Sequence, residues 1–228
     1  LEGSIADCVA NDAKGKIAKL QTKFQEHQTD VDKGKCLTTP DFAYVSAADV
    51  VASVKAEQID FFDEVLGDAE NTIIDATDKA NKAAATCQAI LMKVSDKLVQ
   101  TRLKEFGTCV KKGLKAKEPA ERIVSAVTAE KSCWPEAGPS GAAKIQKAVD
   151  KHADLNVKKC VQKGADYENV LDGRCNGASN ETDLAGCIDE ITKCTACLMI
   201  NDTFDFNLDC DARDNDLIDG SCGGGGSP

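Results

Sequence analysis

A chain of 228 residues with only 4% aromatic side chains, its apolar content supplied mostly by Ala, Val, Ile and Leu, suits one large or two smaller helical cores better than a sheet. Its 38 acidic and 28 basic side chains leave a net charge of -10, which argues against nucleic acid as a partner, because phosphate binding needs a basic face. No apolar run is long enough to span a membrane, and twelve cysteines with two histidines and no CxxCH favour disulfides over haem or mixed Cys/His zinc sites.

Residues 12–34 place Ile17, Leu20, Phe24 and Val31 at helical spacing among lysines, which predicts an amphipathic helix. Ser46, three residues ahead of Asp49, opens the run SAADVVASVKAEQIDFFDEVLG. That second helix offers Val50, Val54, Phe61, Phe62, Val65 and Leu66 to a core, and Gly67 suits its end. A third helical region, about 70–116, carries Ile73, Ile74, Cys87, Ile90, Val94, Leu98, Phe106, Cys109 and Val110, with one break expected near residue 80. Pro119 and Glu121 are expected to start a short helix through Ile123 and Val127; CWPEAGPSG then interrupts before a helix over 142–160. A further helix is expected over 184–200. The fold class is all-α: a disulfide-stapled helical bundle or repeat stack with a small cysteine-rich, Asp-rich C-terminal part.

Charge divides the chain. Residues 1–167 hold 25 acidic and 25 basic side chains, whereas 168–228 hold 13 and 3, so a boundary near residue 168 is expected. Residues 223–228, GGGGSP, read as a Gly-rich tail or linker. With no initiator Met and no apolar leader, Leu1 is expected to be a mature end left by signal cleavage or a cut edge. Disulfides persist outside the reducing cytosol, so the expected place is extracellular or at the cell surface.

Two segments share one pattern: CVANDAKGKIAKLQTKFQEHQTDVDKGKC over 8–36 and CWPEAGPSGAAKIQKAVDKHADLNVKKC over 133–160, each a cysteine, a loop, a Lys-rich helix and a cysteine. Such a unit normally stacks on a neighbour to bury its apolar face. If 87–109 is one helix, its two cysteines lie about 33 Å apart and must bond elsewhere. An antiparallel neighbour over 142–160 would pair Cys160 with Cys87 and Cys133 with Cys109. Cys8 and Cys36 are then left to pair unconventionally or across subunits. Cys175, Cys187, Cys194, Cys197, Cys210 and Cys222 are expected in structural bridges with no partners assigned.

CQAILMKVSDKLVQTRLKEFGTCVKKGL, KIQKAVDKHADLNVKKC, LDGRC and LAGCIDEITKCTACLMINDTFDFNLDCDARDNDLIDGSC together resemble secreted cysteine-rich helical proteins predicted in myxobacteria and related bacteria. The resemblance covers roughly 70–222, rests on cysteine spacing and the DCD motif, and implies a secreted compartment without implying an activity.

Asp209, Asp211, Asp214, Asp216 and Asp219 crowd five carboxylates between and beside two cysteines. Their repulsion favours either a solvated, turn-forming loop or a bound Ca²⁺. DNDLIDGSC is similar to the calcium repeats of thrombospondin type 3, although Asp219-Gly220 reverses the Gly-Asp order found there, and the loop lacks the glycine and final Glu of an EF-hand. Cys194-Thr-Ala-Cys197 has redox spacing, but inside a helix and among other cysteines it reads as structural. His27 and His152 are expected at solvated helix positions. Phe61, Phe62 and Trp134 read as core or interface anchors. No serine, histidine and acid constellation can be assembled from spacing. The expected function is therefore a structural or assembly protein that self-associates into a filament or surface layer through Ile17, Leu20, Phe24 and Val31, with a calcium-dependent binding or adhesion module as the alternative and an enzyme last.

Overall fold

The computed structural model describes residues 11–12, 14–33, 45–67, 73–134, 138–165, 170–215 and 220–222. Among them are seven α-helices, two 3₁₀ turns and no strand. The helices are α1 (Lys16–Asp32), α2 (Ala47–Leu66), α3 (Lys82–Leu114), α4 (Ala126–Cys133), α5 (Gly138–Lys159), α6 (Glu181–Phe204) and the single turn α7 (Asp211–Asp214).

Local chemistry sets most of the boundaries. Ser46 Oγ accepts from the Asp49 N–H at 3.1 Å and donates to the Asp49 carboxylate, and Gly67, with φ of 82°, closes α2. Asn180 caps α6 by accepting from the Thr182 and Asp183 N–H groups, and Ser125 caps α4. The break expected near residue 80 is where the helix begins: Asp75 and Asp78 accept backbone N–H groups of Thr77 and Ala80, 76–81 run as turns and bends, and α3 starts at Lys82. Ile73 and Ile74 consequently lie outside the helix, and the Ile74 N–H donates to Gln88 Oε1. The stretch expected as one helix from Pro119 is split: a 3₁₀ turn over Pro119–Glu121, an extended piece in which the Ile123 N–H donates to Gly113 O, and then α4.

α6 is the central helix. It packs on α2, α3, α5 and α7, and its buried residues, including Leu184, Ile188, Ile191, Cys194, Cys197, Met199 and Ile200, occupy more than one face. α3 and α5 form the other main contact. Phe106 of α3 gathers Trp134, Phe204 and Phe206 in edge-on contacts at 5.3–6.4 Å between ring centres. Phe61 and Trp134 are buried core residues, and Phe62 packs against the same core while partly exposed.

Cys87 bonds Cys160 and Cys109 bonds Cys133, the pairing expected for an antiparallel α3 and α5. By chain entropy the first bridge, closing a separation of 73 residues, contributes about 4 kcal/mol. The C-terminal bridges are Cys175–Cys187, Cys194–Cys222 and Cys197–Cys210. Cys8 and Cys36 lie outside the described residues.

The charge boundary near residue 168 is not a packing boundary. One apolar cluster joins Phe61, Val65, Leu91, Val99 and Phe106 to Val170, Leu171, Ile188, Ile191 and Ile200. The acidic C-terminal part supplies the central helix because α6, buried on several faces, needs the amphipathic helices around it as cover.

Candidate interaction site

α1 packs on α2, and the residues by which α2 reaches the core, Phe61, Val65 and Leu66, all lie near its C-terminal end. α1 and the first half of α2 therefore form an arm. α1 has no acid within its first turn, but the Asp12 carboxylate just ahead of it accepts from the Lys16 and Ala18 N–H groups at 2.8 and 2.9 Å and caps its N-terminus. Gln28 ties the arm together: its Nε2 donates to Val45 O at 2.6 Å and its Oε1 accepts from the Ala47 N–H. Three of the four residues expected at an interface, Ile17, Leu20 and Phe24, line with Val50, Val51, Val54 and Lys55 an open groove of about 250 Å³. Leu20 is 66% exposed, Phe24 37% and Val54 36%. The Val31 side chain lies outside the described residues.

Farther along α2, Glu57, Asp60 and Glu64 form a carboxylate stripe at i, i+3 and i+7. With α6 they line a cleft of about 290 Å³ whose other walls are Phe61, Cys194, Thr195 and Leu198. Burial, helped by Asp202, Asp60 and Glu64, pushes Glu57 up to about 7. Burial also raises Glu64, against the pull of Arg174, and its Oε2 is buried without a hydrogen-bond partner.

Two glycines bring Arg174 beside Glu64. A Cβ on Gly173 would lie 2.2 Å from Glu64 O, and one on Gly67 2.7 Å from the Asp172 backbone. Only at that closeness do the Arg174 and Asp172 N–H groups reach Glu64 O and Leu66 O, two carbonyls at the end of α2. The Arg174 guanidinium then meets Glu190 at 3.4 Å and Asp214 at 3.3 Å and donates to Ser221 O at 2.8 Å.

The aspartates considered for a cation are held by donors of the chain itself. Asp209 Oδ1 accepts from the Ala212 N–H; Asp211 accepts from the Gly220 and Cys222 N–H groups at 2.9 and 3.1 Å. Asp214 is buried and accepts from Ser221 Oγ and Arg174. Asp216 and Asp219 lie outside the described residues. Among the described residues no three of His, Cys, Asp and Glu converge as a metal centre. Cys194 and Cys197 go to different partners, Cys222 and Cys210, so they do not act as one dithiol.

His27 is exposed, but His152 corrects the expectation of a solvated position: it is 1% exposed, between α3 and α5, with Nε2 3.2 Å from Ser95 Oγ. The reason is register, since His152 lies two helical turns before Cys160, whose bridge to Cys87 sets the inward face of α5. Burial depresses its pKa to about 4, opposed by Asp189, whose carboxylate also pairs with Arg102 and Lys193. A serine, a histidine and an acid thus do come near one another, although spacing showed no such group. Ser95 and His152 are both enclosed, so the pair serves as a polar bridge between two helices rather than a surface a substrate can reach.

The arm's groove and the acidic cleft each combine shape with chemistry, and α2 lines both. No protein-family model, curated protein or solved structure matches this chain, so its function is argued from these surfaces.

Proposed function

We propose that this protein is an extracellular structural subunit that self-associates through its α1–α2 arm into a filament or surface layer, and that it performs no catalysis. Five disulfides among the described residues support the compartment, since such bridges persist where thiols are not kept reduced. Among the described residues no helix is long and apolar enough to cross a membrane. The observation that carries the reading is the open groove, where Leu20, Phe24 and Val54 stay exposed beside one another; an apolar patch rimmed by polar residues marks an interaction surface. A contact between unlike faces that does not close into a ring propagates as a fibre.

Sedimentation velocity over a micromolar concentration series tests it. The parent chain should show species larger than the monomer that grow with concentration. Leu20→Asp should return it to monomer while leaving the melting of the disulfide-bonded core in place, because Leu20 makes no part of that core. A parent that stays monomeric throughout overturns the reading.

A further inference from the structure

The groove and the acidic cleft have complementary chemistry. Lys16, Lys19 and Lys23 stand exposed around Leu20 on α1, and Lys55 lines the groove. The cleft presents Glu57, Asp60 and Glu64 over an apolar floor of Phe61 and Leu198, with Asp202 of α6 close enough to Glu57 to raise its pKa. Arg174, beside Glu64, is already engaged by Asp214 and Glu190. Lysine suits such a place: its aliphatic stem lies on apolar surface while its ammonium group meets carboxylates.

We infer that the occupant of each contact is a second copy of this chain, the α1 lysines of one copy entering the α2–α6 cleft of the next. This deepens the self-association reading and rests on it. The groove uses residues 47–55 of α2 and the cleft residues 57–64, so every copy carries both halves of the contact. The two halves differ, which makes the contact heterologous and lets it repeat. Leu20 and Phe24 come down beside the cleft as the lysines enter, and the apolar arm is covered by the same event.

Charge reversal in two separate preparations tests this. One carries Asp60→Lys; the other carries Lys19→Glu with Lys23→Glu; all three positions are exposed in the single chain, so folding is retained. In sedimentation velocity each variant alone should associate at least about tenfold more weakly than the parent, because like charges then face each other across the contact. Mixed in equal amounts, they should associate again, since the unaltered arm of the first variant fits the unaltered cleft of the second, and the arm carboxylates of the second can meet the new ammonium group at position 60 of the first. A parent that associates while both variants associate equally well overturns the cleft and leaves the arm standing. Variants that weaken but do not recover on mixing overturn the pairing of these two surfaces. A monomeric parent overturns the self-association reading, and this inference with it.

Discussion

At the residue scale, His152 carries the clearest consequence. Its pKa is about 4 in the fold against an ordinary value of 6.5, so between those values the unfolded chain binds a proton that the native chain does not. The stability it protects is full above about pH 6.5 and is lost as pH falls toward 4, by up to about 3 kcal/mol. Urea unfolding at pH 7 and pH 4.5 should show that loss, and the double variant His152→Leu with Ser95→Ala should lose distinctly less over the same interval. An equal loss in parent and double variant would show that His152 does not set the acid limb. Glu57 has the opposite sign: its pKa of about 7 lies above the ordinary 4.5, so the fold holds its proton more tightly and stability falls as pH rises through that range. The two residues answer different needs, one enclosed and neutral inside, the other half-buried in a cleft where a cation would relieve it.

At the scale of elements, the end of α2 decides how the acidic C-terminal part meets the rest. Gly173 admits the Arg174 N–H to Glu64 O at 2.8 Å, and a Cβ there would lie 2.2 Å from that same oxygen, a backbone atom with little freedom to yield. Gly173→Ala is therefore expected to destabilise by about 3 kcal/mol, as overpacking against backbone does. Gly177→Ala, where an added Cβ meets nothing within 4 Å, should melt like the parent or slightly above it. Thermal melting of the pair separates a close approach from a general glycine effect; equal melting temperatures would remove the case for the approach. Several elements were legible beforehand for reasons visible in their residues. The Ser46 cap and Gly67 bracket α2, and the length of α3 keeps its two cysteines apart, so each bonds a separate partner, Cys160 just past α5 and Cys133 at the end of α4. The carboxylate stripe Glu57, Asp60 and Glu64 could have been read from its helical spacing, but its cleft could not, because α6 closes it from a position at least 130 residues away in the chain. His152 was misplaced for a related reason: polarity suggests solvent, while its two-turn offset from Cys160 puts it inside.

At the scale of the whole molecule, covalent and noncovalent organisation divide differently. Cys87–Cys160 and Cys109–Cys133 lie wholly before residue 168, and Cys175–Cys187, Cys194–Cys222 and Cys197–Cys210 wholly after it. None of these five crosses the charge boundary, yet the apolar core does, through Phe61, Val65, Leu66 and Phe106 on one side and Ile188, Ile191 and Ile200 on the other. Burying a side chain of this kind contributes about 1.5–3 kcal/mol before entropy is set against it, so the joint is substantial without help from these five bridges. A protease site inserted between residues 165 and 170 puts this to the test. After cleavage the two pieces should still elute together under native conditions, with the far-UV circular dichroism of the intact chain. In denaturant without reductant they should separate into one piece holding the first two bridges and one holding the other three. Pieces that stay joined in denaturant would reveal a bridge across the boundary and break the assigned pairing; pieces that part under native conditions would show that α6 is not held by the core as described.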